Sequence, residues 1–131
     1  MARIAHIALW TADLERAKAF YCQYFGAVAG TRYENAPKGF HSYFLRFAEG
    51  ATQLEIMHTT QLAFQPCPPN HQPFGLAHFA IGVGTVSAVE ALTARLKADG
   101  FTVLDGARRT GDGYYESVVL DPDGNRIEIT E

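Results

Sequence analysis

The hexapeptide Ile4-Ala5-His6-Ile7-Ala8-Leu9 returns almost unchanged as Leu76-Ala77-His78-Phe79-Ala80-Ile81. Both stretches set one His among Ala, aliphatic or Phe residues with the period-two layout of a strand. A second echo lies downstream of each: Gln53-Leu54-Glu55-Ile56 and Arg126-Ile127-Glu128-Ile129. The step from His to Glu is 49 residues in one half and 50 in the other. Such self-similarity marks two copies of one supersecondary unit. Each copy carries one His and one Glu at matching places, and any fold of this chain must respect that pairing.

The chain has 131 residues, one domain's worth, and can bury a sizeable core. We take 1–131 as one domain, with repeat one at about 1–58, a linker at 59–75 and repeat two at about 76–131. A net charge of −3, with no basic cluster longer than Arg108-Arg109, argues against a nucleic-acid partner. No apolar run approaches 18 residues, so no membrane span is expected. Met1-Ala2-Arg3-Ile4 leads straight into the first strand, leaving no room for a signal peptide. Cys22 and Cys67 are far apart and in no CxxC pattern, which reads as reduced thiols in the cytoplasm.

In chain order, a strand is expected over about 3–9, with Ala5, Ile7 and Leu9 on one side and His6 on the other. Thr11 or Asp13 caps a helix running to Phe25, whose stripe is Leu14, Ala17, Tyr21 and Phe25, and Gly26 ends it. Ala27 to Gly30 reads as a short strand and Tyr33 to Gly39 as a polar loop. Residues 41–48 and 52–58 form a hairpin. In its second arm Leu54 and Ile56 face the helix, leaving Glu55 on the open side with His6. Pro66, Pro68, Pro69 and Pro73 make the following segment a linker. The second half repeats the order. Ser87-Ala88-Val89-Glu90 is a capping box for a helix that ends at Gly100, and 101–104 is a strand. Residues 114–120 and 125–130 form a hairpin about Asp121-Pro122-Asp123-Gly124. Each half therefore reads βαβββ, an α+β architecture.

A lone His in an apolar strand is ordinarily a core or edge residue, and a Glu between apolar neighbours is ordinarily the wet side of a sheet. The repeat changes that balance. If each sheet curls with its helix behind it, His6, Glu55, His78 and Glu128 line a concavity, and burying four such groups unpaired is costly. A divalent cation would offset the cost. Two His and two carboxylates suit Zn²⁺, Ni²⁺, Co²⁺, Mn²⁺ or Fe²⁺, and they leave positions open for Lewis-acid and proton-transfer chemistry.

The paired units resemble the vicinal oxygen chelate superfamily of glyoxalases, bleomycin-resistance proteins and dioxygenases. The resemblance covers nearly the whole chain. It is most specific in His6-Ile7-Ala8-Leu9, Asp13-Leu14, Ala19-Phe20-Tyr21-Cys22-Gln23-Tyr24-Phe25-Gly26, Gly75-Leu76-Ala77-His78-Phe79-Ala80 and Asp121-Pro122-Asp123-Gly124-Asn125-Arg126-Ile127-Glu128. It implies two mixed sheets curled into a barrel-like metal-binding cleft. It also implies a homodimer and a glyoxalase I-like lyase or isomerase working on a small substrate through an enediolate. Among the ions above, Zn²⁺ and Ni²⁺ come first. The set His6, Glu55, His78, Glu128 matches the glyoxalase I pattern throughout, with Glu128, or else Glu55, as the proton carrier. Epimerases usually have Gln at the place of Glu55, and bleomycin binders generally lack the set. Glutathione-using bacterial members tend to carry Arg and Asn where this chain has Trp10 and Thr59, which leaves the substrate open. Other activities on the same frame are epimerase, thiol transferase and extradiol dioxygenase, and a non-catalytic small-molecule binder stands outside them.

Outside the quartet, Trp10, Arg108, Arg109 and Tyr114 are candidate substrate-binding residues. Arg108 and Arg109 precede the flexible-looking Thr110-Gly111-Asp112-Gly113. Alternation turns His58 away from the ligand side. His41 and His71 read as surface positions before pocket-lining ones, and Tyr115 as pocket-shaping or packing alike.

Overall fold

A computed structural model describes the chain apart from residues 64, 66, 67, 69 and 70. Pro66, Cys67 and Pro69, on which part of the linker and thiol expectations rest, lie outside the described residues. The chain divides into two compact units, Met1–Gln65 and Pro66–Glu131.

Unit one begins with strand β1 (His6–Trp10), shorter at its start than sequence alternation suggests. Helix α1 (Leu14–Phe25) follows, capped by Asp13, whose carboxylate accepts from the Arg16 N–H at 3.0 Å. Gly26 ends it at φ 65°, a left-handed turn that a side chain would strain. Next come β2 (Val28–Ala29), β3 (Tyr33–Asn35), a 3₁₀ turn at Ala36–Lys38, β4 (Phe40–Arg46) and β5 (Gln53–Thr59). The sheet order is β1-β5-β4-β2, with β3 also on β4; β1 runs parallel to β5 and the others antiparallel. The expected polar loop over Tyr33 to Gly39 is therefore a strand and a turn. Tyr33 and Asn35 find backbone partners opposite Ser42 and Phe40, and Pro37 fits the first turn of the 3₁₀ segment.

Leu9, Tyr43, Leu45, Leu54 and Ile56 bury one side of this sheet with Leu14, Ala17, Phe20 and Tyr21 of α1. Burial of each large aliphatic contributes roughly 1.5–3 kcal/mol. Having committed its apolar residues there, β5 must turn Gln53, Glu55 and Met57 to the opposite side.

Unit two repeats the plan with β6 (Phe79–Gly82), α2 (Val86–Ala98), β7 (Val103–Arg109), β8 (Tyr115–Leu120) and β9 (Arg126–Thr130), ordered β6-β9-β8-β7. Here too the first strand is parallel to the last. Neither sheet closes on itself. The cap of α2 is Thr85, accepting from the Ala88 N–H at 3.1 Å, rather than Ser87. The reason is register: Thr85 has the extended backbone a cap needs, and helical geometry is already established at Val86. Val89 and Leu96 pack on Val119, Ile127 and Ile129. Within that apolar layer Thr93 Oγ1 donates to the Val89 carbonyl at 2.6 Å and so accepts from Ser117 Oγ at 2.7 Å, satisfying both buried hydroxyls.

Strand β7 is the largest departure from expectation. It runs to Arg109, so Arg108 and Arg109 belong to a strand paired with Glu116 and Tyr115, with register shifts on either side of Asp105. The predicted turn before β9 forms around Asp121, whose Oδ1 accepts from the N–H groups of Asp123 (2.9 Å) and Asn125 (2.8 Å).

Candidate functional site

In unit one, β1 sets His6 opposite Gln53 and Ala8 opposite Glu55. Glu55 is thus the cross-strand partner of the residue two places after His6, on the same side of the sheet. His6 Nε2 lies 3.7 Å from Glu55 Oε2. In unit two Glu128 is opposite Ala80, again two places after the His, and His78 Nε2 lies 3.1 Å from Glu128 Oε1. The sequence repeat is therefore reproduced as a repeated geometry. Both pairs stand on the side turned away from their helix. The imidazoles are half exposed (46% and 42%), whereas the carboxylates are mostly sheltered (15% and 19%).

These separations bear on metal binding. Two ligands about 2.1 Å from one ion, at tetrahedral or octahedral angles, stand on the order of 3.0–3.4 Å apart. The His78–Glu128 pair lies within that span and His6–Glu55 slightly outside it. The donor types, imidazole nitrogen and carboxylate oxygen, suit borderline divalent ions. Among the described residues no group of three or more His, Cys, Asp or Glu side chains is placed to hold an ion. Each unit holds one His–Glu pair.

The surroundings of the two pairs differ. Around His6 and Glu55 the open side is apolar. Phe44, opposite Glu55, packs edge-on to the His6 ring at 5.4 Å, and Trp10 packs edge-on to Phe40 at 6.2 Å, as does Tyr33 at 6.0 Å. Trp10 and Tyr33 are exposed. Around His78 and Glu128 it is charged. Glu116 of β8 pairs with Thr130 and Val118 with Glu128, so Glu116 is the diagonal neighbour of Glu128. Arg108 Nε contacts Asp105 Oδ2 at 3.0 Å, and Arg108 Nη2 lies 3.9 Å from Glu116 Oε1. Burial pushes the Glu116 carboxyl above its ordinary range, and the charge of Glu128 adds to the effect.

Of the other expected residues, Arg108 shares this side with Glu116, whereas Arg109 pairs with Tyr115, whose hydroxyl donates to Glu90 of α2 at 2.6 Å. Arg109 is held there by Glu131 and the Tyr115 ring. Tyr114 is exposed just before β8. His58 contacts the Thr11 carbonyl through Nδ1 at 2.9 Å, and His41 Nδ1 lies 3.6 Å from Glu34. Glu116 escaped the sequence reading. The hairpin centred on the Asp121–Gly124 turn could have revealed it, because that register sets 116 against 130 and 118 against 128.

The repeated His–Glu geometry on βαβββ units invites comparison with known proteins. The model of the Glyoxalase/Bleomycin resistance protein/Dioxygenase superfamily matches residues 3–129. The chain belongs to this superfamily. No curated protein sequence matches it. Among solved structures, this superfamily member is similar to a glyoxalase family protein from Enterococcus faecalis. The identity is 25%, with 98% of this chain and 97% of that one covered, and the TM-score is 0.77. It is also similar to lactoylglutathione lyase from Agrobacterium tumefaciens at 25% identity, covering 100% and 94%, with a TM-score of 0.68. The trypanothione-dependent glyoxalase I of Leishmania major shares the fold at 22% identity, covering 100% and 87%, with a TM-score of 0.77. No helix among the described residues is long and apolar enough to cross a membrane.

Proposed function

We propose that His6, Glu55, His78 and Glu128 together hold one divalent ion, Zn²⁺ or Ni²⁺ before Co²⁺, Mn²⁺ or Fe²⁺. On this reading the protein is a glyoxalase-type lyase or isomerase acting on a small substrate with two neighbouring oxygens, a hemithioacetal or related thioester. The observation that carries this reading is the repeated diagonal His–Glu pair, 3.7 Å and 3.1 Å apart, in both units. Catalytic metal sites of this donor type take three or more protein ligands, so two half-sets imply that both units contribute. Residues 1–131 then act as one domain. The resemblance to the Agrobacterium lyase supports the reaction class.

When bound, such an ion supplies Lewis-acid stabilisation of negative charge developing on substrate oxygen. The chain's own residues do the rest. Glu128 takes the proton from one substrate carbon and returns it to the neighbouring carbon, and Glu55 serves chiefly as a ligand. Arg108, on the side of Glu128 and paired with Asp105, turns to an anionic part of the substrate. Trp10, against Phe40, offers an apolar surface on the side of His6, which favours a thiol other than glutathione. A cytoplasmic location belongs to the same proposal.

The test is a substrate screen of the Zn²⁺- and Ni²⁺-loaded protein with methylglyoxal and several thiols, then with 2-methyl-branched acyl thioesters. Conversion of at least one hemithioacetal to its thioester is expected, and inactivity towards the whole panel contradicts the proposal. A homodimer is expected alongside it, with light scattering giving twice the 14.4 kDa chain mass. A monomer at micromolar concentration overturns that part. Mixing His6→Ala with Glu128→Ala chains then separates two arrangements: activity returns if the site is shared between chains, and stays absent if each chain completes its own.

A further inference from the structure

In unit two one cross-strand row runs Gly82, Thr130, Glu116, on the same side of the sheet as His78 and Glu128. Its polar members are under-satisfied. The Glu116 side chain is only 13% exposed, yet its one carboxylate partner among the described residues is Arg108 Nη2 at 3.9 Å, beyond hydrogen-bond range. That guanidinium is held more closely by Asp105, at 3.0 Å, and donates to the Glu116 backbone carbonyl at 3.3 Å. Next to Glu116, the Thr130 hydroxyl is buried with no hydrogen-bond partner among the described residues. The orphaned hydroxyl is costly unless something supplies a partner, and the carboxylate beside it has acceptor capacity to spare. At the end of the row Gly82 leaves room, since a Cβ there would meet nothing within 4 Å. Diagonal cross-strand neighbours stand roughly 7 Å apart. A group bound at Glu116 is therefore within a few bonds of one bound at Glu128.

We propose that Glu116 is a substrate-contacting, specificity-determining residue: its carboxylate accepts a hydrogen bond from an O–H or N–H donor beside the two chelating oxygens of the ligand. Thr130 completes this subsite by turning its hydroxyl toward Glu116 when the donor arrives. The subsite rests on the metal reading of His78 and Glu128, and it selects substrates bearing a donor next to the chelating pair.

The test uses the Zn²⁺-loaded protein titrated with acetohydroxamic acid and with N-methylacetohydroxamic acid, both two-oxygen chelators, of which only the first carries an N–H. Relative to their affinities for free Zn²⁺, the wild type is expected to favour the N–H form by about tenfold, as befits a hydrogen bond to a charged acceptor. Glu116→Leu, similar in volume, should erase the preference, Glu116→Gln should keep part of it, and Thr130→Val should reduce it. Should the Leu variant fail to fold, as read by its thermal melt, the Gln and Val variants decide. An unchanged preference in these variants at full Zn²⁺ occupancy overturns the subsite and leaves the metal reading standing. Failure of the wild type to take up Zn²⁺ overturns both.

Discussion

Glu128→Gln should lower turnover by about a thousandfold, within the range that a positioned proton carrier supplies. Most of the metal should stay bound. The amide keeps one oxygen donor for the ion and nearly the same volume, but it carries no proton between substrate carbons. The same change at Glu55 should be milder, about tenfold. The two glutamates are equivalent in the repeat and hold the same diagonal relation to their histidines, so the difference must come from their surroundings. Glu55 sits among Phe44, Met57 and Ala8, where little stabilises a moving charge. Glu128 lies between Ala80 and Val118 but diagonal to Glu116, with Arg108 beyond it, so charged groups flank it that can accommodate protonated and ionised forms in turn. Steady-state kinetics at matched metal occupancy decide the point. A dead Glu55→Gln beside an active Glu128→Gln would exchange the two roles.

Much of the architecture is legible in the chain because two independent signals agree. The His hexapeptide and the Glu tetrapeptide each recur at nearly the same spacing, and alternation around Glu55 and Glu128 assigns both to the side away from the helix. The structure gives Leu54, Ile56, Ile127 and Ile129 to the cores, as that alternation requires. What the sequence obscures is mostly decided by pairing. Tyr33 to Asn35 looks like a polar loop until β4 supplies backbone partners. Arg108 and Arg109 look like the approach to a flexible stretch because no local pattern shows that β7 runs past 104 to pair with the start of β8. Ser87 carries a better capping signature than Thr85, yet backbone conformation chose Thr85. At the site, the His–Glu pairs could be read from periodicity within each strand. The row of Glu116 and Thr130 needs the register between strands as well, which the Asp121–Gly124 turn sets. The asymmetry between an aromatic side around His6 and a charged side around His78 arises from Trp10 at the end of β1 and from β3, β4, β7 and β8, whose sequences do not repeat.

Metal content tests the central claim most directly. Protein purified without chelator and analysed by elemental mass spectrometry should hold about one divalent ion per four-ligand set, hence about one per chain. The double variant His78→Ala/Glu128→Ala removes one half-set and leaves only His6 and Glu55, two ligands where such ions take three or more from the protein. It should lose the ion while unit two keeps its fold, since the Val89, Leu96, Val119, Ile127 and Ile129 core is untouched. A wild-type protein that emerges metal-free and then takes up neither Ni²⁺ nor Zn²⁺ would contradict the account, as would a double variant that holds its ion as tightly as the wild type.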